Sequence, residues 1–222
     1  MKILIAYDGS GYSHTSLVDL KHAGLPQKVE VLIVSVAEEW LPPEKNETTF
    51  GSPTDNDIVE YFQTRSEQID RNLAETTAIL VEAKRELQRN FPKWSVETEG
   101  SIGSPAQEIL QRTADFKPDL IVVGAQGLSS DRVSGIGSVS QKILSESHSQ
   151  VRIVRSNPKT EPAHLKIVIC FGGSPCSMEA VKTVAQRSWP GQPEVRLMVA
   201  TDPLTALIPG RVFRVNSRLP GR

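Results

Sequence analysis

Three glycines and a serine carry the chemistry most clearly written in this chain. Gly124 and Gly127 are followed after nine residues by Gly137 and Ser138. Glycine lets backbone N–H groups come close to an anion, because no Cβ stands in the way. The apolar run 119–124 before them predicts a buried parallel strand. The segment 138–145 after them predicts the opening turns of a helix. A helix start offers unpaired N–H groups and the positive end of the macrodipole. Strand, glycine loop and helix N-terminus together form an arrangement that cradles phosphate. The Ser138 hydroxyl is placed to cap the helix or to donate to a phosphate oxygen.

Other candidate chemistry is sparser. Asp8 ends the first apolar run; its carboxylate suits Mg²⁺ or a ribose hydroxyl, or the start of a turn. His14, His22, His148 and His164 have no zinc-helix spacing, and none adjoins both cysteines. No Walker sequence occurs, and Arg132 is the one cation inside the nine-residue loop. Phosphoryl transfer needs positioned positive charge, so any turnover of a phosphate ligand is expected to be slow at most. Gly9, Gly11 and His14 approach a dinucleotide fingerprint, but the third position wants glycine for close packing. Cys176 follows Ser174 and Pro175 at a predicted helix start, where a thiol can be activated; a small residue in a first turn is the plainer reading.

The elements that must position these groups alternate. Residues 2–7 read as a strand and 8–11 as a turn, with a helix capped by Ser10 or Ser13 running to about His22. Residues 29–36 form a second strand and 41–57 a long polar loop, which could act as a lid. A helix from about Asp57 to Asn90 has apolar positions Ile69, Leu73, Leu80, Ala83 and Leu87 at helical spacing. Residues 94–99 alternate like an edge strand, and Gly103-Ser104-Pro105 opens a helix ending near Phe116. Strands 119–124 and 151–155 complete the unit. This alternation predicts an α/β fold with a parallel sheet and right-handed crossovers.

Residues 166–174 restate residues 2–10, displaced by 164 positions, and Pro190, Glu194 and Val195 fall on Pro26, Glu30 and Val31 at the same displacement. The expected organisation is a domain at 1–156, a linker at 157–164 and a partial second copy at 165–222. That copy holds one strand, one helix and a second strand, without the glycine motif. Gly172 occupies the position of Asp8, so this half lacks the carboxylate as well.

The 222 residues carry a net charge of −1 and two cysteines, Cys170 and Cys176. A near-neutral balance gives no argument for nucleic acid or an anionic membrane. The opening apolar run is too short for a signal core or a span. With no disulfide framework, the expectation is a soluble, cytoplasmic protein. Arg211, Arg214, Arg218 and Arg222 make a locally basic end, read as a solvated tail.

These marks together resemble the universal stress protein family. The spacing of Gly124, Gly127, Gly137 and Ser138 matches the motif of its nucleotide-binding subgroup. The Ala6-Tyr7-Asp8-Gly9-Ser10 context, the stretch 103–110 and the run from Gly137 to Arg155 match its other features. The resemblance implies an open five-stranded sheet of order 3-2-1-4-5 with helices on both faces. It implies ATP, with Mg²⁺, at the carboxyl ends of strands one and four. By that likeness Asp8 approaches the ribose or metal and the backbone near Val36 meets adenine. Gly124, Gly127, Gly137, Ser138, Val139 and Ser140 hold the phosphates. It also implies a homodimer through the strand Val151–Arg155. A dimeric interaction module that needs no nucleotide is the alternative from a different class.

Overall fold

The computed structural model describes residues 1–38, 55–127, 135–155 and 165–199, with the side chains of 55–64 outside that description. The expectations for the bulk of the 41–57 loop, for Arg132, for the linker and for the basic C-terminus fall outside the described residues.

Five parallel strands form one sheet in the order β3-β2-β1-β4-β5, as expected. They are β1 (Lys2–Ala6), β2 (Glu30–Ala37), β3 (Ser95–Ile102), β4 (Leu120–Gly124) and β5 (Gln150–Val154). β1 and β4 are buried along almost their whole length, which explains why they read as continuous apolar runs. Order reverses between β1 and β4, so a crevice must open where their carboxyl ends part.

Alternating side chains divide the core into two layers. Ile3, Ile5, Val31, Ile33 and Val122 join Leu17 of α1 (Gly11–Asp19) and Leu80, Ala83 and Leu87 of α2 (Asp55–Asn90). Leu4, Ala6, Leu32, Val34 and Ile121 face the other way. They meet Ile109 of α3 (Pro105–Phe116) and Ile143 of α4 (Ser138–Glu146). Leu73 of α2 departs from the expected apolar stripe: it is 40% exposed.

A second compact unit holds β6 (Lys166–Cys170), α5 (Pro175–Gln186) and β7 (Glu194–Met198). β6 pairs with β7 in parallel, Lys166 opposite Glu194. The pairing of Lys2 with Glu30 in the first unit stands 164 residues earlier.

Candidate functional site

The crevice at the strand reversal is a cleft of about 500 Å³, within the range of small-ligand sites. All eight residues expected at a site line it: Asp8, Val36, Gly124, Gly127, Gly137, Ser138, Val139 and Ser140. Their individual jobs differ from one another.

Asp8 does two things. Its Oδ1 accepts from Ser10 N–H at 3.0 Å, closing the turn that precedes α1. Its Oδ2 lies 2.9 Å from where a Cβ on Gly127 would stand. Gly127 therefore leaves room for the carboxylate, and an alanine there would displace it. Gly9 completes the turn with φ +76°, a conformation that glycine adopts without strain. Ser10 caps α1 by accepting from Ser13 N–H at 3.2 Å.

Gly124 is a packing residue first. A Cβ on it would stand 3.0 Å from Ser13 N and from Tyr12 C and Cβ. Its absence lets the first turn of α1 rest directly on the end of β4. Small buried hydroxyls on α1 serve the same approach, each satisfied within the helix: Ser13 to Ser10 O, Ser16 to Ser13 O and Thr15 to Gly11 O.

Gly137 caps α4, so Ser138 is the first helical residue and its hydroxyl does not act as the cap. The Gly137 N–H is committed to Ala125 O at 2.7 Å, which anchors the loop. The Ser140 hydroxyl is committed too. It is buried and donates to Gly124 O at 2.6 Å, tying α4 to β4 across sixteen residues of sequence. The backbone N–H groups of Ser138, Val139 and Ser140 have no acceptor among the described residues. They are the orphan amides of a helix start, and they open on the cleft.

Val36 contributes through its backbone. Even-numbered residues of β2 aim their polar groups at β1: Glu30 N–H donates to Met1 O, and Val34 O accepts from Tyr7 N–H at 2.9 Å. Val36 comes next in that series, after β1 has ended. Its N–H and C=O point into the space beyond Asp8, without a partner among the described residues.

Sequence reasoning missed the wall that α2 supplies, with Asn72, Glu75, Thr76 and Ile79. Their spacing on one helical face was the available signal. It missed Pro105 and Ile109 of α3 on the opposite wall, and Tyr7, Ser13, Ser35 and Gln126 on the floor. Burial, then Glu82, Glu86 and Asp8, push the Tyr7 phenol above its ordinary value, so it stays neutral. The near-fingerprint at Gly9, Gly11 and His14 is spent elsewhere. Gly9 packs under Ile79, and His14 Nδ1 pairs with Glu86 at 3.2 Å. Cys176 is exposed in the first turn of α5.

A model of the universal stress protein family matches residues 1–155. The chain belongs to that family. The universal stress protein YxiE of Bacillus subtilis is 32% identical over 154 residues, covering 69% of this chain and 98% of that one. Among solved structures, the fold is shared with UspA of Lactobacillus plantarum at a TM-score of 0.52 and 21% identity, over 70% of this chain and 97% of that one. It is shared with a universal stress protein of Archaeoglobus fulgidus at 0.56 and 17% identity, over 89% and 77%. No helix among the described residues is long and apolar enough to cross a membrane.

Proposed function

We propose that this universal stress protein binds an adenine nucleotide in the cleft between β1 and β4, ATP with Mg²⁺ being the expected form, and acts as a nucleotide-responsive module. The observation that carries the reading is the set of three backbone amides at Ser138–Ser140, in the lining of the cleft and without an acceptor among the described residues. The group fits what is there. The amides and the exposed Ser138 hydroxyl would hold phosphate oxygens. Asp8 Oδ2 would take a metal ion or a ribose hydroxyl. The Val36 backbone offers one donor and one acceptor to a base edge, between the apolar walls of Ile109 and Val139. When bound, Mg²⁺ would offset the charge of the polyphosphate.

Slow hydrolysis at most belongs to this proposal, because phosphoryl transfer needs positioned positive charge and the charged groups among the described lining residues are the carboxylates Asp8, Glu38 and Glu75. Dimerisation through β5 is part of the same proposal. β5 pairs with β4 alone among the described residues, and its half-buried Val151 and Ile153 suit a further partner strand. The opposite edge strand, β3, carries Glu97 and Glu99, which discourage pairing.

The test is to purify the protein, extract it with denaturant and identify the released nucleotide. An adenine nucleotide at near-stoichiometric yield is expected. Release of NAD would favour a dinucleotide role. A nucleotide-free protein that also fails to take up ATP or AMP would leave the interaction module as the better account.

A further inference from the structure

A Cβ placed on each of the three motif glycines would meet a different neighbour. At Gly124 it would meet main chain of α1, and at Gly137 it would meet Ala125 O at 3.3 Å. Main chain held in a packed element cannot step aside. At Gly127 it would meet Asp8 Oδ2 at 2.9 Å, and no other described atom beyond the adjoining residues comes within 4 Å. The φ of Gly127 lies outside the left-handed region, so alanine could adopt its backbone without strain. Neither conformation nor main-chain packing therefore calls for glycine at this position. Among the described residues, one carboxylate oxygen does.

That carboxylate is held by one end. Oδ1 accepts from Ser10 N–H at 3.0 Å, whereas Oδ2 has no donor among the described residues. Asp8 and Gly127 both line the cleft. A Cβ at 127 would push Oδ2 off its place, and the side chain could yield only by turning about χ1 or χ2. The displaced group is the tip of a short side chain at the cleft, so the fold loses little. What is lost is the position of the free oxygen.

We propose that Gly127 is a positioning residue for Asp8: it serves ligand binding by leaving Oδ2 its place, and the ligand itself does not require the glycine. The inference rests on the nucleotide reading above. It sets Gly127 apart from Gly124 and Gly137, which make room for main chain. It also makes the glycine and the aspartate a single unit, although they follow two different strands.

The test is a double-mutant cycle read by calorimetric titration of the full chain with AMP and with ATP plus Mg²⁺. The variants are Gly127→Ala, Asp8→Gly and the two combined. Each single change should weaken binding about tenfold or more. The combined variant should bind as Asp8→Gly does, within about twofold, because the added methyl then meets nothing. In thermal unfolding without nucleotide, adding Gly127→Ala to Asp8→Gly should shift the midpoint by less than about 2 °C. A Gly127→Ala loss of equal size in both backgrounds would overturn the proposal, since the ligand itself would then need the glycine. Wild-type affinity in either single variant would overturn it too. So would a larger fall of the midpoint in the combined variant, since the methyl would then meet something besides the carboxylate. The nucleotide reading survives each of these results. A wild type that binds neither ligand would overturn both.

Discussion

The turn after β1 and the turn after β6 have the same backbone and different chemistry. Gly9 has φ +76° and Gly173 φ +77°. Ser10 and Ser174 each cap the following helix by accepting from the N–H three residues on, at 3.2 Å in both. Tyr7 N–H reaches Val34 O at 2.9 Å, and Phe171 N–H reaches Met198 O at 2.8 Å. Yet Asp8 in the first is Gly172 in the second. The second turn forms without a carboxylate, so closing the turn is not what requires Asp8. What separates the two places is the surroundings. The end of β1 looks onto Gly127 and α4, whereas no described residue comes within 4 Å of a Cβ built on Gly172 or Gly173. Strand and cap come from the local sequence; a site needs the second wall as well.

Burial separates the two regions as sharply. Ile3, Leu4 and Ile5 are fully buried, while Val168, Val195 and Leu197 are each about half exposed. The apolar strand pattern is the same, but β4, α2 and α3 cover the first strand pair. We read β6, α5 and β7 as a partial copy that keeps the local rules of the fold.

The largest disruption of the comparison should come from Gly124→Val. The new side chain meets backbone of Tyr12 and Ser13 that has nowhere to move, so a loss of about 3 kcal/mol or more is expected in denaturant unfolding. Binding would then be lost together with the fold, which makes this variant a test of packing and not of phosphate recognition. Asp8→Gly converts the first turn to the second. It should fold with a cost of about 1 kcal/mol and weaken nucleotide binding about tenfold or more by titration. Binding at wild-type strength would mean that the carboxylate takes no part in holding the nucleotide. Ser140→Ala removes the bond to Gly124 O and should cost about 1 kcal/mol in thermal unfolding, with a smaller effect on affinity. Gly172→Asp should change stability by less than about 0.5 kcal/mol and create no second binding event. A second site appearing in that variant would show that the carboxylate was all the second turn lacked.

The alternation of strands and helices and the glycine loop were legible in local pattern and fixed spacing, whereas the sheet order and the full set of eight lining residues followed from the family resemblance. Asp8 ends an apolar run, and Gly137 precedes a helical period. Individual roles were less legible. Gly124 and Gly127 look alike in a motif, but one abuts backbone of α1 and the other abuts the Asp8 carboxylate. Only a three-dimensional neighbour distinguishes them. Ser138 and Ser140 look equally suited to phosphate, yet Ser140 is turned inward onto Gly124 O. Glu75 and Asn72 carry no motif, since their place in the cleft depends on where α2 crosses the sheet.

Ser138→Glu tests the central claim most directly. The residue is exposed at the first position of α4, where an acidic side chain favours the helix dipole. Thermal unfolding should therefore be unchanged or slightly improved. Calorimetric affinity for AMP or ATP should fall by about a hundredfold or more, because a fixed negative charge occupies the place of the phosphate. A variant that is equally stable and binds nucleotide as tightly as the wild type would contradict the account.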